Sequence, residues 1–198
     1  TANPFKCYFY PPAFDKEKLP IPFLLPPGGS NLMNIVSMMP KLKEELRTIF
    51  NDYGLKYVFD TNSQEIKVMK EKKPGEIFLI PFHSIADTLQ RMIFYKAAIE
   101  SNSESALVFE EPEAHSYPPF ISKVTQDIIQ SDRNQFFITT HSPYVVNDFL
   151  ELPSDELAIY LVDFRNGETF VKRASDTEVQ EMYEYGIDLF FNTETFLR

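Results

Sequence analysis

Apolar residues recur at three- and four-residue steps at Leu32, Ile35, Val36, Met39, Leu42, Leu46, Ile49 and Phe50. That spacing gathers them on one face of a helix. Pro40 divides the stretch into a short helix and a longer one, because proline fits a first turn and not a helix interior. Asn51 to Gly54 ends it. Three strand candidates follow, Lys56–Phe59, Glu65–Met69 and Glu76–Ile80, separated by the turns Asp60-Thr61-Asn62-Ser63 and Lys72-Lys73-Pro74-Gly75. Ile85, Leu89, Met92, Ile93 and Ala97 form the buried stripe of a strong helix from about Ser84 to Glu100. Ala106-Leu107-Val108-Phe109 is a short unbroken apolar run, the pattern of a strand buried on both faces in a parallel sheet. A helix over Pro118–Gln130 carries Phe120, Ile121, Val124 and Ile128 on one side. Gln135–Thr139 reads as the next buried strand and Pro143–Phe149 as a short helix. Leu157–Val162 and Thr169–Lys172 read as strands joined through Arg165-Asn166-Gly167, and Asp176–Tyr185 as a closing helix. From residue 84 onward helix and strand alternate in the βαβ manner of an α/β fold.

The opening differs in character. Of 15 prolines, eight lie in the first 40 residues, at Pro4, Pro11, Pro12, Pro20, Pro22, Pro26, Pro27 and Pro40. Proline has no backbone donor and disfavours helix in the residue before it, so short extended segments and turns are expected there. Lys6-Cys7-Tyr8-Phe9-Tyr10 is strand-like. Asn31, after Pro26-Pro27-Gly28-Gly29-Ser30, is placed to cap the first helix. The chain thus divides into a Pro-rich lead-in over 1–31, a helix-and-strand insertion over 32–80, and an α/β part over 81–198. It begins at Thr1 without Met and runs quickly into a strand, which reads as a piece of a longer polypeptide.

Composition narrows the function. With 43% apolar residues over 198 positions the chain has material for a real core. Lys plus Arg is 19 and Asp plus Glu is 29, a net charge of −10. Bulk charge therefore opposes binding to a nucleic-acid duplex or an anionic membrane, leaving only a local basic patch. Cys7 is the single cysteine, so no intramolecular disulfide forms, which fits a reducing compartment such as the cytoplasm. There is no run of about 18 apolar residues and no signal peptide. The aromatic content, 19 Phe and 10 Tyr, is high. Tyr8, Phe9, Tyr10, Phe14, Phe190, Phe191 and Phe196 read as core, with some expected at the surface as a self-associating patch.

The stretch Leu107-Val108-Phe109-Glu110-Glu111-Pro112-Glu113-Ala114-His115 places two adjacent carboxylates at the carboxyl end of a buried strand. In open parallel sheets ligands bind at that edge. One carboxylate there can hold hydrated Mg²⁺ and its neighbour can orient a water for attack on phosphate. The plain structural reading is a pair of solvated loop acids. The next strand, Phe136-Phe137-Ile138-Thr139, ends in Thr140-His141-Ser142-Pro143, and a right-handed crossover of about 25 residues brings its tip to the same edge. His141 then lies near the acids.

These segments resemble the carboxyl-terminal half of an ATP-binding-cassette-type AAA ATPase, in the prokaryotic group allied to the Rad50/SMC and OLD-like ATPases. The resemblance is specific from about Ile80 to Phe149. It implies an α/β, partial P-loop NTPase fold with parallel central strands, and ATP and Mg²⁺ as cofactors. Ala106–Glu111 is similar to Walker B. Glu110 takes the place of the metal-associated Asp and Glu111 that of the catalytic glutamate. Pro112-Glu113-Ala114-His115 looks like the D-loop of this group, which places Glu113 and His115 by the nucleotide, and His141 matches the switch histidine at the γ-phosphate. Ser84 and Ala86, in His83-Ser84-Ile85-Ala86-Asp87-Thr88, fall where the Ser-x-Gly signature binds the γ-phosphate held by a partner subunit, so nucleotide-dependent homodimerisation is implied. Ser84 is expected to cap the helix; a second register centres the motif on Ala86-Asp87-Thr88. His83 reads as structural.

The departures are specific. Ala86 stands where Gly is expected, Asp87 adds a negative charge, and Glu110 replaces Asp. No Gly-x-x-x-x-Gly-Lys-Ser/Thr loop occurs, and no glycine is followed by lysine. In this family that loop lies in the amino-terminal half, which becomes an expected partner; nucleic acid is expected to be reached only through other parts of the protein. Two other readings remain open: a non-enzymatic interaction module on a degenerate P-loop domain, and a divalent-metal phosphodiesterase built from Glu110, Glu111, Glu113, His115 and His141.

Overall fold

Two compact units, Thr1–Thr139 and Thr140–Arg198, make up the chain. The structure, a computed structural model, describes residues 3–11, 21–63, 65–153, 155–192, 196 and 197. Phe14 lies outside the described residues.

The first unit is organised by parallel pairing. Strand β1 (Phe5–Tyr8) pairs with a distant strand, Ser105–Glu110, which in turn pairs with Asn134–Thr139. Between the first two lies the insertion. It holds α1 (Leu32–Met38), α2 (Pro40–Asp52) and an antiparallel sheet of β2 (Lys56–Asp60), β3 (Glu65–Lys73) and β4 (Glu76–Pro81). Pro40 opens α2 at its first position, as the spacing predicts. Asn31 does occupy the position before α1, yet its side chain makes no cap hydrogen bond. Its amide turns back into the preceding loop, accepting from Leu25 N–H at 2.8 Å and donating to the Phe23 carbonyl at 2.9 Å. Gly29, at φ 67°, passes so close to Phe94 that an added Cβ would stand 2.7 Å from its ring, so only glycine fits.

Helix α3 (Asp87–Ser101) follows a 3₁₀ turn at Phe82–Ser84, and leads into β5 (Ser105–Glu110). Ten of its fifteen residues are buried, which makes it the central helix of the unit and not an amphipathic cover. Helix α4 (Pro118–Ile129) packs beside it and connects β5 to β6 (Asn134–Thr139). Tyr8, Leu107 and Phe109 of the sheet are fully buried against α3, where Tyr8 meets Phe94 edge-on at 6.2 Å and Phe109 meets Tyr95 at 5.1 Å. One ion triad ties three helices together. Lys96 of α3, 1% exposed, bonds Asp127 of α4 and reaches Glu45 of α2 at 2.8 Å. Burial holds the Asp127 carboxyl above its ordinary range, against the pull of Lys96.

β6 corrects the expectation of a strand buried on both faces. Its residues alternate, with Gln135, Phe137 and Thr139 exposed. In register with Phe137 stand Val108 and, across β5, Cys7; with Phe5 and Phe9 they form one open face of the parallel sheet. Phe5 is 65% exposed and Phe137 49%. Parallel sheets ordinarily bury both faces, and here helices α3 and α4 cover one. An exposed apolar face of this kind associates with itself in water. We expect the 198-residue chain to elute above monomer size at high concentration, and Phe5→Glu with Phe137→Glu to return it to monomer. Monomeric elution of the unmodified chain would contradict this.

The second unit contains α5 (Pro143–Phe149), β7 (Tyr160–Arg165), β8 (Glu168–Arg173) and α6 (Asp176–Tyr185). β7 and β8 form a hairpin through Asn166-Gly167, so the βαβ alternation stops at α5. β7 starts three residues later than its apolar pattern suggests, because Leu157 and Ile159 pack on the unit's core outside the ladder. That core is Leu150, Leu161, Ala174, Val179, Met182, Leu189 and Phe196. Phe196 is therefore core, whereas Phe191 is 91% exposed. Among the described residues no helix is long and apolar enough to cross a membrane.

Helix α6 opens with a capping box. Ser175 N–H and Oγ–H donate to the Glu178 carboxylate, Glu178 N–H donates to Ser175 Oγ, and Lys172 bonds the other carboxylate oxygen at 2.9 Å. The backbone bond from Ser175, then Lys172, lowers the Glu178 pKa from 4.5 to about 2. A depressed carboxylate stabilises the fold above its unfolded pKa and loses that contribution as pH falls through the folded one. The unit should lose stability between pH 4.5 and about 2 from this residue. Glu178→Gln keeps a capping side chain but not the charge, and should flatten the acid slope in thermal melts followed by circular dichroism. An unchanged slope would exclude Glu178 as its source.

Candidate functional site

β5 delivers its last residue, Glu110, to the carboxyl edge of the parallel sheet with the side chain exposed. In register with it stands Thr139, the last residue of β6. The chain then turns sharply. Glu111 N–H donates to the Thr139 carbonyl at 3.0 Å, and Glu111 itself adopts φ 40°. A positive φ is costly for a side chain with a Cβ, and such residues concentrate at sites where geometry is imposed. Two successive turns follow, Ala114 N–H to the Glu111 carbonyl at 3.0 Å and Ser116 N–H to the Glu113 carbonyl at 2.9 Å. Pro112 is buried beneath them, Glu113 is half-buried, and His115, at φ 56°, is exposed. Glu110, Glu111, Glu113 and His115 therefore share one wound loop at the strand tip.

Helix α3 borders this loop. Tyr95 Oη–H donates to the Glu110 carbonyl at 3.3 Å. Burial pushes the Tyr95 hydroxyl pKa up to about 12, with Glu113 and Glu110 adding to the rise, so it remains a donor at neutral pH. At the other end, Tyr117 N–H donates to Thr88 Oγ1 at 2.9 Å. Neither contact is visible in the spacing of the residues; both need the packed helix.

The expectation that Ser84 caps α3 is corrected. Ser84 ends the 3₁₀ turn and is exposed, and the residue preceding the helix is Ala86, with no side-chain cap. Ile85 and Ala86 form an extended link, held by Gln90, which donates to the Ile85 carbonyl at 2.8 Å and accepts from Tyr10 at 3.0 Å. The register Ala86-Asp87-Thr88 is thus the one that coincides with the helix start. Asp87 is paired with Arg91 at 2.8 Å, and Arg91 lies 4.5 Å from the Tyr10 ring centre.

His141 follows β6 by two residues, at the start of the second unit, and is exposed. Among the described residues no group of three or more His, Cys, Asp or Glu is arranged to hold a metal ion by itself. Glu110 offers a hard oxygen donor at the strand tip, which suits a hydrated Mg²⁺ completed by phosphate oxygens and water.

Comparison with known proteins gives a consistent picture. No curated protein matches the chain. A solved chain from work on "Structural biochemistry of ATP-driven dimerization and DNA stimulated activation of SMC ATPases" is 15% identical, with a TM-score of 0.50 over 77% of this chain and 96% of that one. At that identity the likeness speaks to fold, and the fold is that of a P-loop NTPase. The family model described as "AAA domain, putative AbiEii toxin, Type IV TA system" matches residues 28–147, more than half of the chain and all of the strand-tip loop. The chain belongs to that family and is an ATPase-type domain of the AAA/ABC class.

Proposed function

We propose that this chain supplies the hydrolytic side of an ATP site in an ABC-type AAA ATPase head. The observation that supports it most is the tip of β5, where two glutamates leave a buried parallel strand and the second is held at φ 40° by a bond to the neighbouring strand. Glu111 is the general base that orients and deprotonates the attacking water. Glu110 would hold the metal ion of MgATP, which when bound neutralises phosphate charge. His141, which matches the switch histidine of this family, contacts the γ-phosphate as it loses its bond to the leaving group. Glu113 and His115 line the approach. The first turn of α3, with Ala86 at its start and Ser84 beside it, presents its leading backbone N–H groups to the nucleotide of a second head.

Residues 1–31 serve as the lead-in, 32–80 as an arm between the halves of the head, and 81–198 as the carboxyl-terminal part of the head. The phosphate-cradling lysine loop comes from sequence outside these 198 residues, since none of the six glycines precedes a lysine. ATP-driven dimerisation, described for the SMC ATPases, is the assembly this arrangement suits.

The test is MgATP turnover measured in parallel on the full-length polypeptide and on the 198-residue chain. Turnover by the former and none by the latter is the expected result. Robust hydrolysis by the 198 residues alone, or no nucleotide binding by the full-length protein, would overturn the reading.

A further inference from the structure

We infer that Thr88 and Tyr95 of α3 are positioning residues that clamp the two ends of the catalytic loop, an inference resting on the ATPase reading of that loop. Thr88 and Tyr95 lie seven residues apart, two turns, and so project from the same side of the helix. Their targets are also seven residues apart. Tyr95 Oη–H holds the Glu110 carbonyl at 3.3 Å, and Thr88 Oγ1 receives the Tyr117 N–H at 2.9 Å. The loop between these anchors contains Glu111 and both of its internal turns.

The clamp is built on rigid material. Tyr95 is 1% exposed, and its ring packs at 5.1 Å against Phe109, the residue before Glu110. Tyr117 directly precedes α4, so its N–H also sets where that helix starts. Backbone bonds fix the local turns and tie Glu111 to β6, and the two α3 side chains tie both ends of the loop to the helix. Glu111 sits at a positive φ next to one anchor, where a small release would let the backbone relax and swing its carboxylate. A displacement of about 1 Å of a catalytic group is enough to cost on the order of a hundredfold in rate.

Three substitutions on the full-length polypeptide test this. Thr88→Val keeps the volume and removes the acceptor; Thr88→Ser restores it; Tyr95→Phe removes the other bond. Amide exchange at Tyr117 and across 111–116 reads the clamp directly. In Thr88→Val, Tyr117 exchange should rise about fivefold or more, as expected for one lost hydrogen bond. Turnover should fall about tenfold with the KM for MgATP held within about twofold, because a positioning loss acts on the chemical step. Thr88→Ser should recover both, and Tyr95→Phe should accelerate exchange at Glu111 and lower kcat with the same unchanged KM. Unchanged Tyr117 exchange in Thr88→Val, or faster exchange with kcat unaltered, would overturn the inference. If the unmodified full-length protein hydrolyses no ATP, the proposed function fails, and the exchange ratio alone decides whether α3 orders the loop.

Discussion

Glu111→Gln in the full-length polypeptide should lower kcat for ATP hydrolysis by about 10²- to 10⁴-fold, the usual contribution of a general base. The amide matches the carboxylate in shape, so the loop, its bond to Thr139 and its positive φ at residue 111 should persist. It cannot take a proton from water. MgATP affinity should stay within about threefold, since the lost interaction belongs to the transition state. Single-turnover kinetics with a fluorescent nucleotide separate the two quantities. Equal loss of binding and turnover would move Glu111 from base to ligand, and an unaffected kcat would remove it from the mechanism.

The largest stability effect should come from Lys96→Met. Lys96 is buried between Asp127 and Glu45, and its removal leaves two carboxylates of α4 and α2 facing each other without a cation. Breaking one partner of a buried ion pair costs about 3–5 kcal/mol. The side chains of Asp127 and Glu45 keep 22% and 35% of their solvent contact, which places the expected loss near about 3 kcal/mol. The pH dependence carries a sign. Burial raises the folded-state pKa of Asp127, so the protonated form favours the fold below that pKa and the charged form opposes it above. With Lys96 absent the deficit should be greatest at neutral pH and shrink as pH falls through the raised value. Urea unfolding at pH 7 and pH 5 measures both. A deficit under about 1 kcal/mol, or one that grows on acidification, would contradict the triad as the bond among α2, α3 and α4.

What the sequence disclosed and what it hid follow one division. Local chemistry was legible. Pro40 marks the start of α2, and α6 runs over Asp176–Tyr185, the span expected of the closing helix. The apolar run before Glu110 signalled a parallel strand with acids at its tip. Features set by packing between distant segments were not. Asn31 looked like a cap, but two carbonyl-side and amide-side partners in the loop before it claim its side chain. Ser84 looked like a cap because the helical spacing ran back to Ile85, while the 3₁₀ turn and the Gln90 hold on Ile85 delay the helix to Asp87. β6 reads as apolar as β5, and its open face appears only when the register pairs Phe137 with Val108. The roles of Lys96, Thr88 and Tyr95 depend on partners between 15 and 51 residues away, which spacing alone does not encode.

The most direct test of the account is a crystal structure of the full-length polypeptide with Mg²⁺ and a non-hydrolysable ATP analogue. The account predicts the γ-phosphate at the tips of β5 and β6, Glu111 within one water of it and the His141 imidazole within about 3 Å. A γ-phosphate bound at the opposite rim of the sheet, or His141 turned away with Glu110 and Glu111 contacting only solvent, would contradict it.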